Sequence, residues 1–206
     1  MADRKRWTPG DVVDVSGPAA LLRNYLEQRD VRRYVADVAS YAPLARAYDI
    51  GCGFGRLTPV LSEFAEDVVG FEREASLLAT ARALLPDLHF VQVESLESLP
   101  VADASAGFVM TFTVLQHMPD ERAEAVLAEI ARVRAPRGWV LLVEETDPGL
   151  EAGDAGQADL GYTRGRSWNW YGQRLPALGL RAARPREIEP GYPRKDVGTY
   201  MLFGPA

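Results

Sequence analysis

The stretch AYDIGCGFGRLTPVL, Ala47 to Leu61, sets three glycines at alternate positions behind an apolar run that contains Asp49. A short apolar run stopped by glycine reads as a buried strand, here Ala45 to Ile50. The residues that follow read as a helix from about Leu57 to Ala65. Gly51, Gly53 and Gly55 therefore form a strand–turn–helix corner. Without Cβ atoms they permit positive φ and let the backbone come close to a ligand. Taken alone, the turn leaves the ligand open. Nicotinamide and flavin proteins use a related turn, but with the wider GxGxxG spacing, whereas the spacing here is GxGxG.

Working outward, EDVVGFE is a second buried strand ending in an acid, Glu72. EASLLATARALLP is a helix stopped by Pro86, LHFVQVE a third strand, and GFVMTFT a fourth. Pro119 and Asp120 open a further helix with Val126, Ile130 and Val133 on one face. Asp120 is the expected N-cap, and Glu121 and Glu124 suit the positive end of the helix dipole. WVLLVEE, after Gly138, is a fifth strand, apolar almost throughout. Continuous apolar strands alternating with amphipathic helices predict a parallel sheet covered on both faces, with right-handed crossovers. Upstream, GPAALLRNYLEQRDVRRYVADVASYAP reads as helices. Leu22, Tyr25 and Leu26 form one stripe and Val31, Val35 and Val38 another, with Pro18 at a first turn and Pro43 at the far end. Downstream, RSWNWYGQRLPALGL reads as a helix, and LRAARPREIE and VGTYMLFG as an antiparallel hairpin. The glycine- and acid-rich stretch between strand five and that helix is long enough to be a lid.

The totals set limits. The 206 residues suffice for one sizeable core. No apolar run approaches the roughly 18 residues of a membrane span, and no apolar core follows the charged N-terminus as in a secretory signal. The cytoplasm is the expected compartment. Cys52 is the single cysteine, which excludes an internal disulfide and a cysteine metal site. A net charge of −6 argues against a general nucleic-acid binder. The charge is uneven, however. Arg164, Arg166, Arg174, Arg181, Arg184, Arg186, Arg194 and Lys195 make a basic C-terminal run, preceded by Glu144, Glu145, Asp147, Glu151, Asp154 and Asp159. That run reads as solvated surface first, and as a site for an anionic group or an RNA backbone second.

Five stretches in order, YDIGCGFGRLT, VVGFERE, VESLESLP, VMTFTVLQHMPD and IARVRAPRGWVLLVEE, resemble the class I S-adenosylmethionine-dependent methyltransferases. The likeness is to the small-molecule branch related to ubiquinone-type enzymes, and it covers about Ala45 to Glu145. The resemblance implies an α/β fold: a doubly wound, mostly parallel seven-stranded Rossmann-like sheet with an antiparallel C-terminal hairpin and N-terminal helices. It divides a single domain over 1–206 into a helical cap (1–44), a cofactor-binding core (45–145), a lid loop (146–166), and a C-terminal helix and hairpin (167–206). It also implies S-adenosyl-L-methionine as cofactor, with S-adenosyl-L-homocysteine as product. Glu72 would take the ribose hydroxyls, as a carboxylate can accept from a vicinal pair. Asp49, Gly51, Cys52, Gly53, Gly55, Arg73, Leu77, Ser95, Leu96, Thr111 and Thr113 complete the cofactor set. Leu77 and Leu96 would flank adenine, and the Thr111 carbonyl and the glycines would receive the methionine ammonium group. Two positions depart from the family: Ser95 stands where an acid usually reads the adenine amino group, and Ala106-Gly107 stands where Phe-Asp usually precedes the fourth strand.

Of the two histidines, His89 starts a strand, while His117 follows the fourth strand on the side expected to face the cofactor methyl. His117 is the candidate general base, with Tyr25 or Tyr34 as an N-terminal partner. Candidate acceptor contacts are Tyr25, Glu144, Tyr162, Trp168 and Tyr171, with Trp170 beside them. No metal constellation is present. There is no Asn-Pro-Pro-aromatic motif for amino methylation in nucleic acid, no cysteine placed as a nucleophile for cytosine, and no Tyr-x-x-x-Lys pair. The expectation is a methyltransferase acting on O or N of a small metabolite, without nucleic-acid or membrane partner, as monomer or homodimer. The alternatives are an RNA or protein methyltransferase using the basic run, and a cofactor-binding protein that does not methylate.

Overall fold

Strands that are apolar on both faces must be covered on both faces, and that requirement organises the molecule. The computed structural model describes residues 17–146, 165–183, 187–188 and 198–205. Its strands are β1 (Leu44–Ile50), β2 (Ala65–Glu72), β3 (His89–Gln92), β4 (Ala106–Phe112), β5 (Arg134–Glu145), β6 (Leu180–Ala182), β7 (Glu187–Ile188) and β8 (Gly198–Pro205). They form one sheet in the order β3-β2-β1-β4-β5-β8-β6, with β7 also paired to β8. β1 to β5 run parallel to their neighbours, and β8 runs antiparallel to β5. Strand order reverses between β1 and β4. A sheet of this kind receives ligands in the crevice beyond the carboxyl ends of those strands, which is where the glycine turn emerges.

Helices α1 (Pro18–Tyr41), α2 (Thr58–Ser62), α3 (Ala75–Leu84), α4 (Asp120–Val133) and α5 (Trp168–Arg174) cover the sheet. Val31, Tyr34 and Val35 of α1, with Val60 and Leu61 of α2, pack against Phe108, Met110, Leu141 and Val143. On the opposite face, Val126, Ile130 and Val133 of α4 and Trp170 and Tyr171 of α5 pack against Val109, Val140 and Leu142. Successive residues of β4 and β5 thus serve opposite layers, as the strand period of two requires. Leu78 and Ala81 of α3 close a smaller cluster with Cys52 and Phe90.

Several boundaries differ from the sequence reading. The N-terminal segment is one continuous helix. Val31 lies nine residues beyond Leu22, and at about 100° per residue that is half a turn out of phase. Only the valine stripe meets the sheet, so Leu22 stays 50% exposed and Tyr25 63%. α2 ends at Ser62 because Ala65 is already paired with Leu44. β5 begins at Arg134, directly after α4, with a register shift opposite Ala106 to Phe108. The expected C-terminal helix divides into α5 and a 3-10 turn, Leu175–Leu178, ended by Gly179 at φ 73°. Pro176 supplies no backbone donor there, and the left-handed glycine closes the turn. In the hairpin, β8 lies inside the sheet, and β6 and β7 share its outer edge as two short pieces.

Candidate functional site

All three turn glycines adopt positive φ: 74° at Gly51, 59° at Gly53 and 80° at Gly55. Two are also close-packed. A Cβ on Gly51 would stand 2.6 Å from Val114 Cγ2, and one on Gly55 2.8 Å from Phe90 Cζ. The amides of Gly51 and Cys52 both donate to the Phe71 carbonyl, which ties the turn to β2. Beneath it, the buried Asp49 carboxylate accepts from the Thr58 hydroxyl at 2.7 Å and joins the end of β1 to α2.

Glu72 ends β2 beside this turn and is 8% exposed. Its Oε2 accepts from the Gly53 amide at 2.9 Å, and its Oε1 from the amides of Arg73 at 2.7 Å and Glu74 at 2.8 Å. A carboxylate offers about four acceptor positions. One position on Oε2 is therefore left beyond these three bonds, at the rim of the crevice. That fits a sugar hydroxyl donor.

The remaining predicted cofactor residues fall in different settings. Cys52 points into the cluster with Leu78 and Phe90, where burial pushes its thiol well up. The Arg73 guanidinium pairs with Glu74 at 2.7 Å. Leu77 and Leu96 are buried, Leu96 within the main core. The Ser95 hydroxyl accepts from the Glu97 amide at 3.2 Å and so shapes its own loop. Thr111 is buried at the end of β4. Thr113 has φ 54°, a strained conformation for a β-branched residue, and its amide donates to the Val143 carbonyl at 2.6 Å.

His117 lies in a 3-10 turn, Leu115–His117, between β4 and α4, half-buried at the same end of the sheet. Tyr25 is on the outer side of α1, and Tyr34 stacks on Tyr200, ring centroids 5.3 Å apart, in the core of the α1 layer. Tyr171 is fully buried in the α4 layer and Trp168 is partly buried against it, while Tyr162 lies outside the described residues. So do residues 147–164 of the expected lid, although Thr146 and Arg166 at its ends form a β-bridge.

Glu144, a candidate acceptor contact, stands at the end of β5. It is fully buried and accepts from the Thr111 hydroxyl and from the amides of Val114, Leu115 and Gln116. Asp120 is not the N-cap of α4. Pro119 holds that position, and Asp120 accepts from Arg166 instead. The reading of the basic run as solvated surface or an anion site also needs correction at one of its described members. Arg166 is fully buried, and Arg174 pairs with Glu124 at 2.8 Å and lies over the Trp170 ring at 3.9 Å. Arg166 was not singled out by its sequence. The available signal was its place one residue before Ser167, the N-cap of an aromatic helix whose hydroxyl accepts from Trp170. Among the described residues no group of three or more His, Cys, Asp or Glu side chains is placed to hold a metal, and no helix is long and apolar enough to cross a membrane.

The glycine turn and the carboxylate bonded to it lie within residues 48–142, which match the family described as "Methyltransferase domain". Over this segment the chain is similar to proteins described as probable S-adenosylmethionine-dependent methyltransferases. It is 32% identical over 128 residues to a trans-aconitate 2-methyltransferase of Azoarcus sp., covering 59% of this chain and 49% of that one. To a ribosomal RNA small subunit methyltransferase A of Geobacillus kaustophilus it is 28% identical over 176 residues, 75% of this chain and 57% of that one. Among solved structures, an S-adenosylmethionine-bound amino pentose methyltransferase from Micromonospora echinaspora superposes with a TM-score of 0.70 at 17% identity, over 91% of this chain and 95% of that one. The matches cover between 35% and 57% of the length of the curated relatives. S-adenosylmethionine is bound in the amino pentose methyltransferase structure, and the residues at this end of the sheet fit such a cofactor: Glu72 keeps one acceptor position beside the positive-φ glycines.

Two buried carboxyls give the protein a pH signature. Burial pushes Asp49 up to about 6, against its Thr58 bond and Arg56, with Glu72 adding to the rise. Burial also pushes Glu144 up to about 7, against its backbone bonds and Arg166. Both groups hold a proton more tightly folded than unfolded. Their stabilising contribution is therefore complete below the ordinary carboxylate range and is lost as pH rises through 6 to 7. Unfolding free energy from urea titration is expected to fall by on the order of 3 kcal/mol between pH 5 and 8. Glu63 and Glu129, held low by Arg32 and Arg132, act below that window. Stability that rises across it would contradict the assignment.

Proposed function

We propose that the chain transfers a methyl group from S-adenosylmethionine to oxygen or nitrogen of a small-molecule acceptor. The observation that carries this reading is the Glu72 carboxylate, bonded to the Gly53 amide with an acceptor position to spare, across the crevice from the His117 turn. When bound, the cofactor supplies an electrophilic methyl carbon on a sulfonium leaving group. The protein's share is alignment of the acceptor and exclusion of water. Glu72 and the turn glycines hold the cofactor, and His117 takes a proton from an acceptor that arrives protonated.

A small acceptor is supported by relatives named for trans-aconitate and for an amino pentose. The RNA reading has one relative in its favour. It loses weight because Arg166 spends its charge inside the fold and Arg174 is paired with Glu124. Calorimetry with S-adenosylhomocysteine tests the cofactor, and absence of binding removes the proposal. For acceptors, turnover of a small metabolite with little salt dependence is expected. Binding to RNA that weakens steeply with salt would favour the other reading. Exchange of His117 for alanine is expected to lower turnover about 100-fold, the usual scale of a lost general base, with cofactor affinity within about twofold. Unchanged turnover would make His117 a packing residue.

A further inference from the structure

The chain leaves β4 at Thr113 and runs through Met118 before α4 begins, so Val114 to Met118 have no strand ladder to satisfy their backbone. Two charged side chains take that place from opposite directions. Glu144, at the end of β5, accepts from the amides of Val114 at 3.3 Å, Leu115 at 3.1 Å and Gln116 at 3.0 Å. The same carboxylate accepts from the Thr111 hydroxyl at 3.2 Å. Arg166 donates to the carbonyls of Leu115 at 2.7 Å and Met118 at 2.5 Å, and to Asp120 through Nε at 3.0 Å and Nη2 at 2.9 Å. Both residues are fully buried. A further bond runs from the Glu145 amide to the Gln116 side-chain oxygen at 2.7 Å, and the Trp170 ring lies 4.6 Å from the Arg166 guanidinium carbon.

An apolar pair of similar volume would fill this space, and often with no loss of stability. It would leave three amides of the turn without their carboxylate acceptor and the carbonyls of Leu115 and Met118 without their guanidinium donor, Leu115 keeping only its bond from the Met118 amide. The turn they hold carries His117 at one end. At the other end is Val114, whose methyl groups occupy the space above Gly51.

We propose that Glu144 and Arg166 are positioning residues that clamp the His117 turn, Glu144 by its N–H groups and Arg166 by its carbonyls, and so fix His117 and the Val114–Gly51 contact together. For its consequence in catalysis the proposal rests on the methyltransferase reading. The clamp itself is a property of the protein without cofactor. Neither side chain touches the acceptor. Glu144 acts through the turn, and Arg166 also anchors Asp120 at the start of α4.

The test uses the full chain and nuclear magnetic resonance. In Glu144→Gln the side-chain amide nitrogen is a donor set against donors, so the Val114 to His117 amides are expected to exchange about tenfold faster, the scale of one lost hydrogen bond. The His117 imidazole signals should move with them. Signals of His89, exposed at the start of β3, and exchange in β4 and α4 should not change. Arg166→Lys keeps the charge but loses the planar fork, so the same His117 signature is expected. Thr111→Val removes one donor to Glu144 and leaves both charges in place. Should the first two variants fail to fold, it is expected to speed exchange at Val114 and Leu115 alone. Unmoved His117 signals, or acceleration spread evenly over the core amides, would overturn the clamp. Titration with S-adenosylhomocysteine separates the two readings: failure to bind defeats the methyltransferase assignment and leaves the exchange result in the free protein standing.

Discussion

Exchange of Glu72 for alanine is expected to weaken S-adenosylhomocysteine binding about 10- to 100-fold, because the one acceptor position left on its carboxylate offers a ribose hydroxyl a charge-assisted hydrogen bond worth about 1.5–3 kcal/mol. The same carboxylate accepts from the amides of Gly53, Arg73 and Glu74, so its loss also removes one tie between the glycine turn and β2 and leaves those of Gly51 and Cys52 to Phe71. Calorimetry measures the affinity, and a denaturation midpoint measured alongside shows whether the fold has suffered. Affinity within about threefold of the parent would remove Glu72 from the site. Glu72→Gln keeps one acceptor oxygen and should fall between the two.

The largest expected loss of stability follows from Arg166→Ala. This change leaves Glu144 buried without its cationic neighbour, takes the guanidinium away from Asp120, and removes the side-chain donor from the carbonyls of Leu115 and Met118. Removing one member of a buried charged arrangement costs about 3–5 kcal/mol, a large part of a domain's total. Chemical denaturation should show that shift with the slope unchanged. A change under about 1 kcal/mol would mean that water enters and replaces the guanidinium. Arg174→Ala is the contrasting case. Its contact with Glu124 is solvated, so the salt-bridge share is well below 1 kcal/mol and most of any effect comes from the Trp170 contact.

Much of the architecture was readable because its signals are local. The apolar runs at 45–50, 66–72 and 139–145, and the glycines between strand and helix, need only neighbours in sequence to be recognised. The departures come where a local pattern has two outcomes. Leu22 and Val31 both sit on plausible apolar stripes, and only the position of the sheet leaves one of them in solvent. Asp120 has the chemistry of an N-cap, but a guanidinium from 46 residues away claims it.

The candidate site divides in the same way. The cofactor side lies on contiguous segments, so Gly51, Gly53, Gly55 and Glu72 stood out from composition and spacing. The acceptor side does not. Glu144 had the look of a solvated acid at a strand end, and Arg166 of one arginine in a basic run. The structure buries both completely against a turn 28 to 51 positions away in sequence.

The sequence by itself determined the alternation of strands and helices, the corner at Asp49 to Gly55 and the acid that closes it, because backbone conformation and hydrophobic period are properties of short segments. Only the tertiary structure decided which charges are spent inside. Whether a carboxylate or guanidinium faces water or the backbone of a distant turn depends on desolvation and on partners that folding brings together, and neither is written in the residues on either side.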